Sequence, residues 1–288
     1  MKIFTLLFLG AFLNLCHVDA QASPERLSCA DKSLAEIKSL RALPDEIHVW
    51  LDKQFGSKIK IADRGEKFVD IDEKGLGPRR FSAAGINEQC ALVVLQLGGH
   101  PYHFDIIIFE HTEAGWHATR QGNLPEPPAT PAALADDAET VLCSVDEDTL
   151  FSCSSGRKRH IAVCGSKNLT ASSGYIQYRA AKNGIVELLF PDKNMRPGTA
   201  FAYKQRPWGQ GEEDSLRFHI GDYAYTAYSN VGRFSEEHGV LVQSNGKTLE
   251  RLKCQGDSDG GLGMTDIANK IRGAGVLEPS EEYDVFDQ

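Results

Sequence analysis

Hydrophobic residues in the first part of the chain recur at helical spacing. Two helices are predicted, one around residues 34–40 and one that follows Pro44 and ends at Gly56. The apolar residues on which the two helices depend are Leu34, Ile37, Leu40, Ile47, Trp50, Leu51 and Phe55.

Strand-like runs follow these helices. Residues 90–97 and 102–110 are rich in Val, Ile, Leu and Phe, and the Gly-Gly-His-Pro segment between them predicts a hairpin with a four-residue loop. Residues 116–119 continue the antiparallel meander. Helices followed by antiparallel strands predict that residues 23–121 form a small α+β domain.

The second half of the chain is a series of short predicted strands separated by turn signals. Asn245-Gly246 lies between two apolar segments and is the strongest hairpin signal in the chain. The candidate strands are 149–153, 159–165, 174–180, 185–190, 215–220, 222–230, 239–243 and 247–254. Short strands at regular spacing predict an antiparallel β domain over residues 139–255, built as a barrel or a sandwich. One short helix is predicted at 266–271.

Residues 122–138 separate the two halves and contain four prolines, at positions 125, 127, 128 and 131. Proline has a fixed backbone angle and lacks an amide donor, so this segment is predicted to be an extended, exposed interdomain linker. Residues 256–288, glycine-rich and then acidic, are predicted to form a partly mobile tail.

The first 22 residues have the layout of a secretory signal peptide. Lys2 supplies the positive start, residues 3–15 are almost entirely apolar, and small residues end the segment. Cleavage is predicted near Ala20 or Ala22, which indicates a periplasmic or secreted protein. The apolar run is shorter than a membrane span requires, and no later run approaches that length, so no membrane-spanning segment is expected.

Six cysteines remain once Cys16 is removed with the signal peptide, and an even number in an exported chain usually means disulfide bonds. The linker divides them two and four, which predicts Cys29–Cys90 in the first domain. The other four are expected to pair among themselves in an order that the sequence leaves open; they are Cys143, Cys153, Cys164 and Cys254. None lies in a Cys-x-x-Cys pair, so the cysteines indicate neither a zinc site nor a thioredoxin-like redox motif.

The net charge of −9 is concentrated at the end of the chain, where residues 255–288 carry eight acidic and two basic side chains. Binding to nucleic acid needs a basic face, so nucleic acid is not expected as a partner. A cationic protein is one interpretation of the acidic end, and a solubilising tail is the other and the favoured one. The composition, 41% hydrophobic and 25% charged, is that of a globular protein.

The segment after Cys254 is the most suggestive catalytic motif. It is similar to the nucleophile segment of trypsin-like serine proteases, and Gly256, Ser258 and Gly260 also fit a Gly-x-Ser-x-Gly elbow. Asp259 stands where the protease pattern has glycine, and its charge would oppose a developing oxyanion. No histidine has the protease context, and no parallel sheet is predicted to hold an elbow. We therefore expect Ser258 to lie in a loop without a catalytic role.

Several histidines form the best candidate for a metal site. They are His100, His103, His111 and His117, together with Asp105. Residues 103 and 105 would share one side of a strand, and zinc accepts such ligands. The solvated face of a hairpin carries the same residue types, and that interpretation is favoured. A calcium loop starting at Asp257 would have alanine, not glutamate, at its twelfth position. No metal and no other cofactor is predicted.

Two features of the β domain resemble the periplasmic lysozyme inhibitors of Gram-negative bacteria. Cys153 lies in its first predicted strand and Cys254 in its last, and a Ser-Ser-Gly-Tyr segment covers residues 172–175. The resemblance covers at most residues 149–255. It implies a small β-barrel that inserts a Ser-Gly loop and a nearby tyrosine into the cleft of a lysozyme. The residues implied to contact the partner are Ser172, Ser173, Gly174 and Tyr175.

The function expected from these observations is non-enzymatic binding of another protein in the periplasm. The partner would be a cell-wall-targeting enzyme, and the protein would act as its inhibitor or as an immunity factor. The acidic end would steer a cationic enzyme toward it. The alternative is a periplasmic hydrolase that uses Ser258 or a histidine-based metal site.

Overall fold

The computed structural model describes residues 25–27, 29, 33–56, 60–68, 78–98, 103–124, 126–156, 158–255, 262–263, 265–279 and 285. Within these residues the strands are β1 (Glu25–Arg26), β2 (Ala35–Ile37), β3 (Arg79–Ile86), β4 (Cys90–Leu97), β5 (His103–Thr112), β6 (Gly115–Leu124), β7 (Glu147–Ser155), β8 (Arg159–Ser166), β9 (Ile176–Lys182), β10 (Ile185–Phe190), β11 (Ala202–Trp208), β12 (Gly211–Ile220), β13 (Tyr223–Gly232), β14 (Ser235–Ser244) and β15 (Lys247–Lys253). The helices are α1 (Asp45–Phe55), α2 (Pro131–Ala138), α3 (Pro197–Ala200) and α4 (Thr265–Gly273), and a 3-10 turn spans Leu40–Ala42.

The strands form three five-stranded antiparallel sheets. The N-terminal sheet has the order β2-β3-β4-β5-β6, the central sheet β1-β10-β9-β8-β7, and the C-terminal sheet β11-β12-β13-β14-β15. The protein is therefore mostly antiparallel β with few helices. Within the residues described, none of the three sheets closes on itself.

The middle of the N-terminal sheet is buried on both faces. On one face α1 contributes Ile47 and Leu51 to a cluster with Val93 and Ile107. On the other face Leu134 of α2 packs in a second cluster formed by the alternate residues of β4 and β5. A strand covered on both faces needs an uninterrupted apolar sequence, which explains the run of valine and leucine in β4.

The two helices predicted before these strands have different outcomes. The helix after Pro44 is confirmed as α1, which ends at Gly56 in a left-handed conformation (φ 90°). The helix predicted around 34–40 is wrong, because this segment forms β2 and then the 3-10 turn. Three apolar residues spaced by three match a helix, but antiparallel pairing with β3, which sets Ala35 opposite Ile86, makes this segment a strand.

The segment predicted as an extended linker is partly regular structure. Its first residues belong to β6, and residues 131–138 form α2. The Thr130 side chain accepts a hydrogen bond from the Ala133 amide at 3.1 Å, and Pro131 occupies the first turn, where its missing amide costs nothing. Leu134 and Ala138 are buried, so this part of the segment belongs to the core of the first half.

The N-terminal sheet also joins the second half through polar contacts beyond α2. The buried Arg120 of β6 donates to the carbonyls of Ala138 and Val141, at 3.1 and 2.6 Å. The Val145 amide donates to the carbonyl of Thr119 at 3.2 Å. The boundary is therefore crossed by more contacts than an exposed linker would make.

The central and C-terminal sheets share one hydrophobic core. Phe151 and Val163 of the central sheet lie in the same cluster as Leu216, Phe218 and other residues of the C-terminal sheet. The hairpin predicted at Asn245-Gly246 is confirmed, since β14 pairs with β15 from Ser244 and Lys247 onward and both turn residues have positive φ (51° and 73°).

Three disulfide bonds are present. Cys29–Cys90 closes the first half as predicted, and the other four cysteines pair among themselves as predicted. The order that the sequence left open is Cys143–Cys164 and Cys153–Cys254. The second of these ties β7 of the central sheet to the residue that follows β15.

The segment predicted as a partly mobile tail contributes to the core. The predicted short helix is confirmed as α4, whose Ala268 and Ile271 are buried beside Leu262 and Val276 in the shared core. The Tyr203 amide also donates to the carbonyl of Leu277 at 2.9 Å. Of the acidic last nine residues, 280–288, the structure describes position 285 alone, where Val285 is buried against Tyr228 and Leu241. The part of the predicted tail around α4 therefore belongs to the fold, and the mobility predicted for the acidic end falls mostly outside the described residues.

Candidate partner-binding site

The Ser-Ser-Gly-Tyr segment lies in the loop between β8 and β9. Ser172 and Ser173 are exposed. The loop is closed by its own hydrogen bonds: the Thr170 amide donates to the carbonyl of Ser173 at 2.9 Å, and the Ser173 hydroxyl donates to the carbonyl of Asn168 at 2.9 Å. The Thr170 hydroxyl accepts from the Ser172 and Ser173 amides at 3.3 and 3.0 Å. The loop is thus an exposed turn with a defined conformation.

Gly174 is required by the loop itself. Its φ is +81°, and a Cβ at this position would lie 2.4 Å from the Ser166 hydroxyl oxygen and 2.9 Å from the Cα of Leu169. Side chains rarely adopt this conformation, and here they would also meet backbone. The close backbone contact that this glycine permits is made within the chain, with Leu169.

Tyr175 anchors the loop instead of projecting from it. The residue is half-buried, its amide donates to the Ser166 hydroxyl at 3.1 Å, and its own hydroxyl donates to Glu147 Oε1 at 2.6 Å. Burial, together with the bond to Glu147, raises the pKa of the Tyr175 hydroxyl to about 12. The Lys193 ammonium lies 4.8 Å from the centre of the ring.

Beneath Tyr175 lies a buried ion pair between Glu147 and Arg179. The guanidinium contacts both carboxylate oxygens, one of them at 2.8 Å, and also donates to the carbonyl of Leu142 at 2.6 Å. The Ser144 amide donates to Glu147 Oε2 at 2.7 Å. Burial alone would raise the pKa of Glu147, but the hydrogen bonds and charge of Arg179, helped by Tyr175 and Ser144, hold it below its usual value. The loop is therefore supported from below by a buried, hydrogen-bonded ion pair.

The metal candidates are not brought together in the described residues. Asp105 forms an ion pair with Arg79 at 3.3 Å, His111 lies against the ring of Trp116 with centroids 4.8 Å apart, and His117 is exposed. His100, Asp257 and Ser258, and the side chain of His103, lie outside the described residues. Among the described residues the one close group of metal-type ligands is Cys143, Glu147 and Cys164, whose two sulfurs are bonded to each other.

A second polar site was missed by sequence reasoning. Ser154 of β7 and His160 of β8 are cross-strand partners, and the Ser154 Oγ lies 3.0 Å from His160 Nδ1. They line a cavity of about 290 Å³ whose other wall includes Asp137 of α2. The signal was available in part, because strands are predicted at 149–153 and 159–165, and a turn between them brings Ser154 and His160 opposite each other.

A third feature, also missed, is an aromatic end of the C-terminal sheet. Trp208 is 41% exposed and Phe234 86% exposed, each at the end of a hairpin. The Trp208 ring covers two glycines, since Cβ atoms at Gly211 and Gly232 would lie 2.6 and 2.7 Å from it. Trp208 Nε1 donates to Asn230 Oδ1 at 3.2 Å, which fixes the ring.

Comparison with known proteins adds no assignment to these sites. No family model matches the chain, and no curated protein or solved structure matches it. The functional argument therefore depends on the geometry of the chain.

Proposed function

We propose that this protein is a non-enzymatic exported protein that binds another protein, as an inhibitor or immunity factor against a cell-wall-targeting enzyme. The observation that carries the proposal is the conformation of the loop at 170–174, which is exposed and closed by its own hydrogen bonds. A preorganised loop loses little conformational entropy on binding, and this favours affinity.

The loop suits entry into a concave surface. Ser172 and Ser173 are small and exposed, so the tip of the loop is narrow. Tyr175 would act as a positioning residue in this proposal, because its hydroxyl is bound to Glu147 within the protein. The buried Arg179 below it would keep the loop in place when a partner presses on it.

The expected cellular location of the protein is also consistent with the proposal. Three disulfide bonds fit a secreted or periplasmic protein. In the described part of the chain no helix is long and apolar enough to cross a membrane. We infer further that the signal peptide is removed near Ala20 or Ala22 and that the central and C-terminal sheets form a sandwich around their shared core.

The first test is inhibition of chicken-type, goose-type and invertebrate-type lysozymes by the wild-type protein and by Ser172→Tyr. A tyrosine at the tip should fit a narrow cleft poorly, so inhibition should weaken at least tenfold, which is about 1.4 kcal/mol. Ser33→Tyr is the matched control, because Ser33 is exposed in the other half of the chain, and it should change inhibition less than twofold. Equal inhibition by both variants would exclude the loop as the contact.

If the wild-type protein inhibits none of the three lysozymes, the lysozyme hypothesis is removed and immunity against another enzyme remains. Phe234→Ala then separates the loop from the aromatic end of the C-terminal sheet. The loop is supported if a periplasmic partner is retained by Phe234→Ala and Ser33→Tyr but lost by Ser172→Tyr. Retention by Ser172→Tyr with loss in Phe234→Ala would move the proposal to the aromatic end.

The acidic end of the chain would contribute by steering a cationic partner. Steering acts on the association rate and fades as salt screens charge. Association measured at low and high salt should therefore slow with salt, while dissociation changes little.

One observation favours the second candidate function, a hydrolase: the hydrogen bond between Ser154 and His160 beside a cavity. Serine activation also needs a group that orients the histidine, and no described carboxylate bonds to His160 Nε2. We expect a fluorophosphonate probe to label neither Ser154 nor Ser258. Stoichiometric labelling that is lost in Ser154→Ala or in Ser258→Ala would overturn the non-enzymatic proposal.

A further inference from the structure

The cavity of about 290 Å³ lies where β6, α2 and β7 meet, and its lining combines apolar with polar side chains. The polar part includes the hydroxyl and amide side chains of Gln121, Thr149, Ser152 and Ser154. Its volume is at the lower end of the range for small-molecule sites, roughly 300–1,000 Å³. It could hold a ligand about the size of a monosaccharide.

The cavity contains one carboxylate that has no partner among the described residues. Asp137 is half-buried, and its side chain makes no hydrogen bond and no ion pair there. Asp136, next to it on the same helix, is exposed and lies 3.7 Å from the Lys158 ammonium. Burial, with a smaller effect of Asp136, raises the pKa of Asp137 to about 6. A half-buried carboxylate without a counterion destabilises the unliganded protein, and a bound cation would remove that cost.

The wall formed by β7 and β8 is neutral and able to form hydrogen bonds. His160 is buried and shares a hydrogen bond with Ser154. Burial, and secondarily the charge of Lys158, lowers the pKa of His160, so its imidazole is uncharged at neutral pH. No lysine or arginine occurs among the lining residues that the structure describes. The cavity thus offers one anion and several neutral groups.

We propose that this cavity binds a small primary amine that also carries hydroxyl groups, such as an amino sugar or amino alcohol. The ammonium would pair with Asp137, and the hydroxyls would bond to Ser154, His160 and the neighbouring hydroxyl side chains. The site is separate from the loop at 170–174 and does not depend on the protein-binding function.

The test compares amines with neutral ligands of the same shape on the full-length mature protein. Glucosamine is paired with glucose, ethanolamine with ethylene glycol, and putrescine with butane-1,4-diol, and affinity is measured by calorimetry or ligand-observed NMR at pH 7.5. Glucosamine or ethanolamine, both of which carry hydroxyl groups, is expected to bind at least tenfold tighter than its neutral counterpart and tighter than putrescine, which carries none. Asp137→Asn should weaken that binding at least tenfold.

Asp136→Asn is the matched control, since it removes the same charge one residue away from an exposed position, and it should change affinity less than twofold. Chemical-shift mapping on the wild-type protein gives a readout that needs no variant: perturbed amides should cluster at the end of α2 and at the β7–β8 hairpin. The proposal is overturned if no amine is preferred over its neutral counterpart, if both variants weaken binding equally, or if the perturbed amides lie elsewhere. Ser172→Tyr should bind the amine as the wild type does, which keeps this result distinct from the loop experiment.

Discussion

At the residue scale, two buried carboxyl groups of the second half have pKa values shifted in opposite directions. Glu147 is kept ionised by Arg179. Asp214 of β12 has a different environment: the Tyr203 hydroxyl donates to it, and the carboxyl group of Glu212, two residues away on the same strand, lies close to it. Burial raises the pKa of Asp214 to about 7, and the nearby carboxylate of Glu212 adds to the effect. Burial has a different result at the two sites because one carboxyl has a cation beside it and the other has a second carboxylate.

Asp214 should make the protein less stable as pH rises through about 7. A carboxyl whose pKa is higher in the folded than in the unfolded state stabilises the fold most below its ordinary value of 3.8, and this stabilisation is lost as pH rises through the folded value. The free energy of unfolding, from denaturant titrations, should fall by about 1 kcal/mol between pH 6.5 and 8.5. Asp214→Asn should remove most of this fall.

Comparison of the wild type with Asp214→Asn between pH 6.5 and 8.5 separates this group from the other shifted ones. The pKa of Glu147 lies below this range in the folded and in the unfolded state. Burial lowers the pKa of His160 from its ordinary value of 6.5, so this histidine makes the fold more stable as pH rises, chiefly below pH 6.5, and within the range it would only reduce the measured fall. Asp137, with a pKa near 6, acts in the same direction as Asp214 but has largely titrated by pH 6.5. An unchanged slope in Asp214→Asn would show that this carboxyl is not the source.

At the scale of elements, α2 shows how a proline-rich segment can contain a helix. Pro131 fits the first turn, and Thr130 before it supplies the cap, so the local sequence is a helix start as well as a linker signal. A helix of eight residues is not stable in isolation, and packing against β3 and β4 provides the missing stability.

Leu134→Ala tests whether α2 belongs to the core. The side chain is 1% exposed, so its truncation should destabilise the protein by about 2–5 kcal/mol in denaturant unfolding. Glu126→Ala, at an exposed position in the same segment, is the control and should stay within about 0.5 kcal/mol. A negligible effect of Leu134→Ala would restore the exposed-linker interpretation.

At the scale of the whole molecule, the end of the chain completes the core of the second half. Leu262, Ile271 and Val276 are buried between residues of the two sheets that precede them. The residues after the last strand therefore form part of the fold, and their removal would change far more than charge.

Truncation after Gln255 should abolish cooperative folding. Each buried aliphatic side chain removed costs roughly 2–5 kcal/mol, and several are lost, against a typical total stability of about 5–15 kcal/mol. Truncation after Leu277 keeps α4 and should retain a cooperative transition with lower stability, since Val285 is lost from its contact with Tyr228 and Leu241. Near-ultraviolet circular dichroism during thermal unfolding distinguishes the two. A cooperative transition in the shorter protein would contradict this role of the C-terminal segment.

Local signals were enough for many of the elements. All eight strands predicted in the second half correspond to strands of the structure, because alternating side chains and turn residues such as Asn183-Gly184 and Asn245-Gly246 are local. Four strands were missed, namely β1, β2, β3 and β11. β1 and β2 have only two and three residues, which is too few for a periodic pattern. β3 is rich in arginine and small residues, and β11 ends in Arg-Pro-Trp, so neither has the usual strand composition, and pairing with a neighbour stabilises each of them.

Less of the candidate sites could be predicted. The serines at 172 and 173 are exposed, as a contact loop requires, but the inward direction of Tyr175 depends on Glu147, which is 28 residues away. Ser154 and His160 are near neighbours in sequence, yet the cavity beside them exists only because α2 and β6 pack across that hairpin.

Local sequence was enough to predict the strand periodicity, the tight turns, the helix after Pro44 and the grouping of cysteines into two and four. These features follow from local backbone preferences and from the position of the proline-rich segment. Packing was needed to establish which cysteines of the four pair, which carboxyl groups keep their charge and where α2 and α4 lie. These outcomes depend on groups brought together from distant positions, as Cys153 and Cys254 are across 101 residues, and the free energy of such contacts is set by burial and by the neighbouring charges.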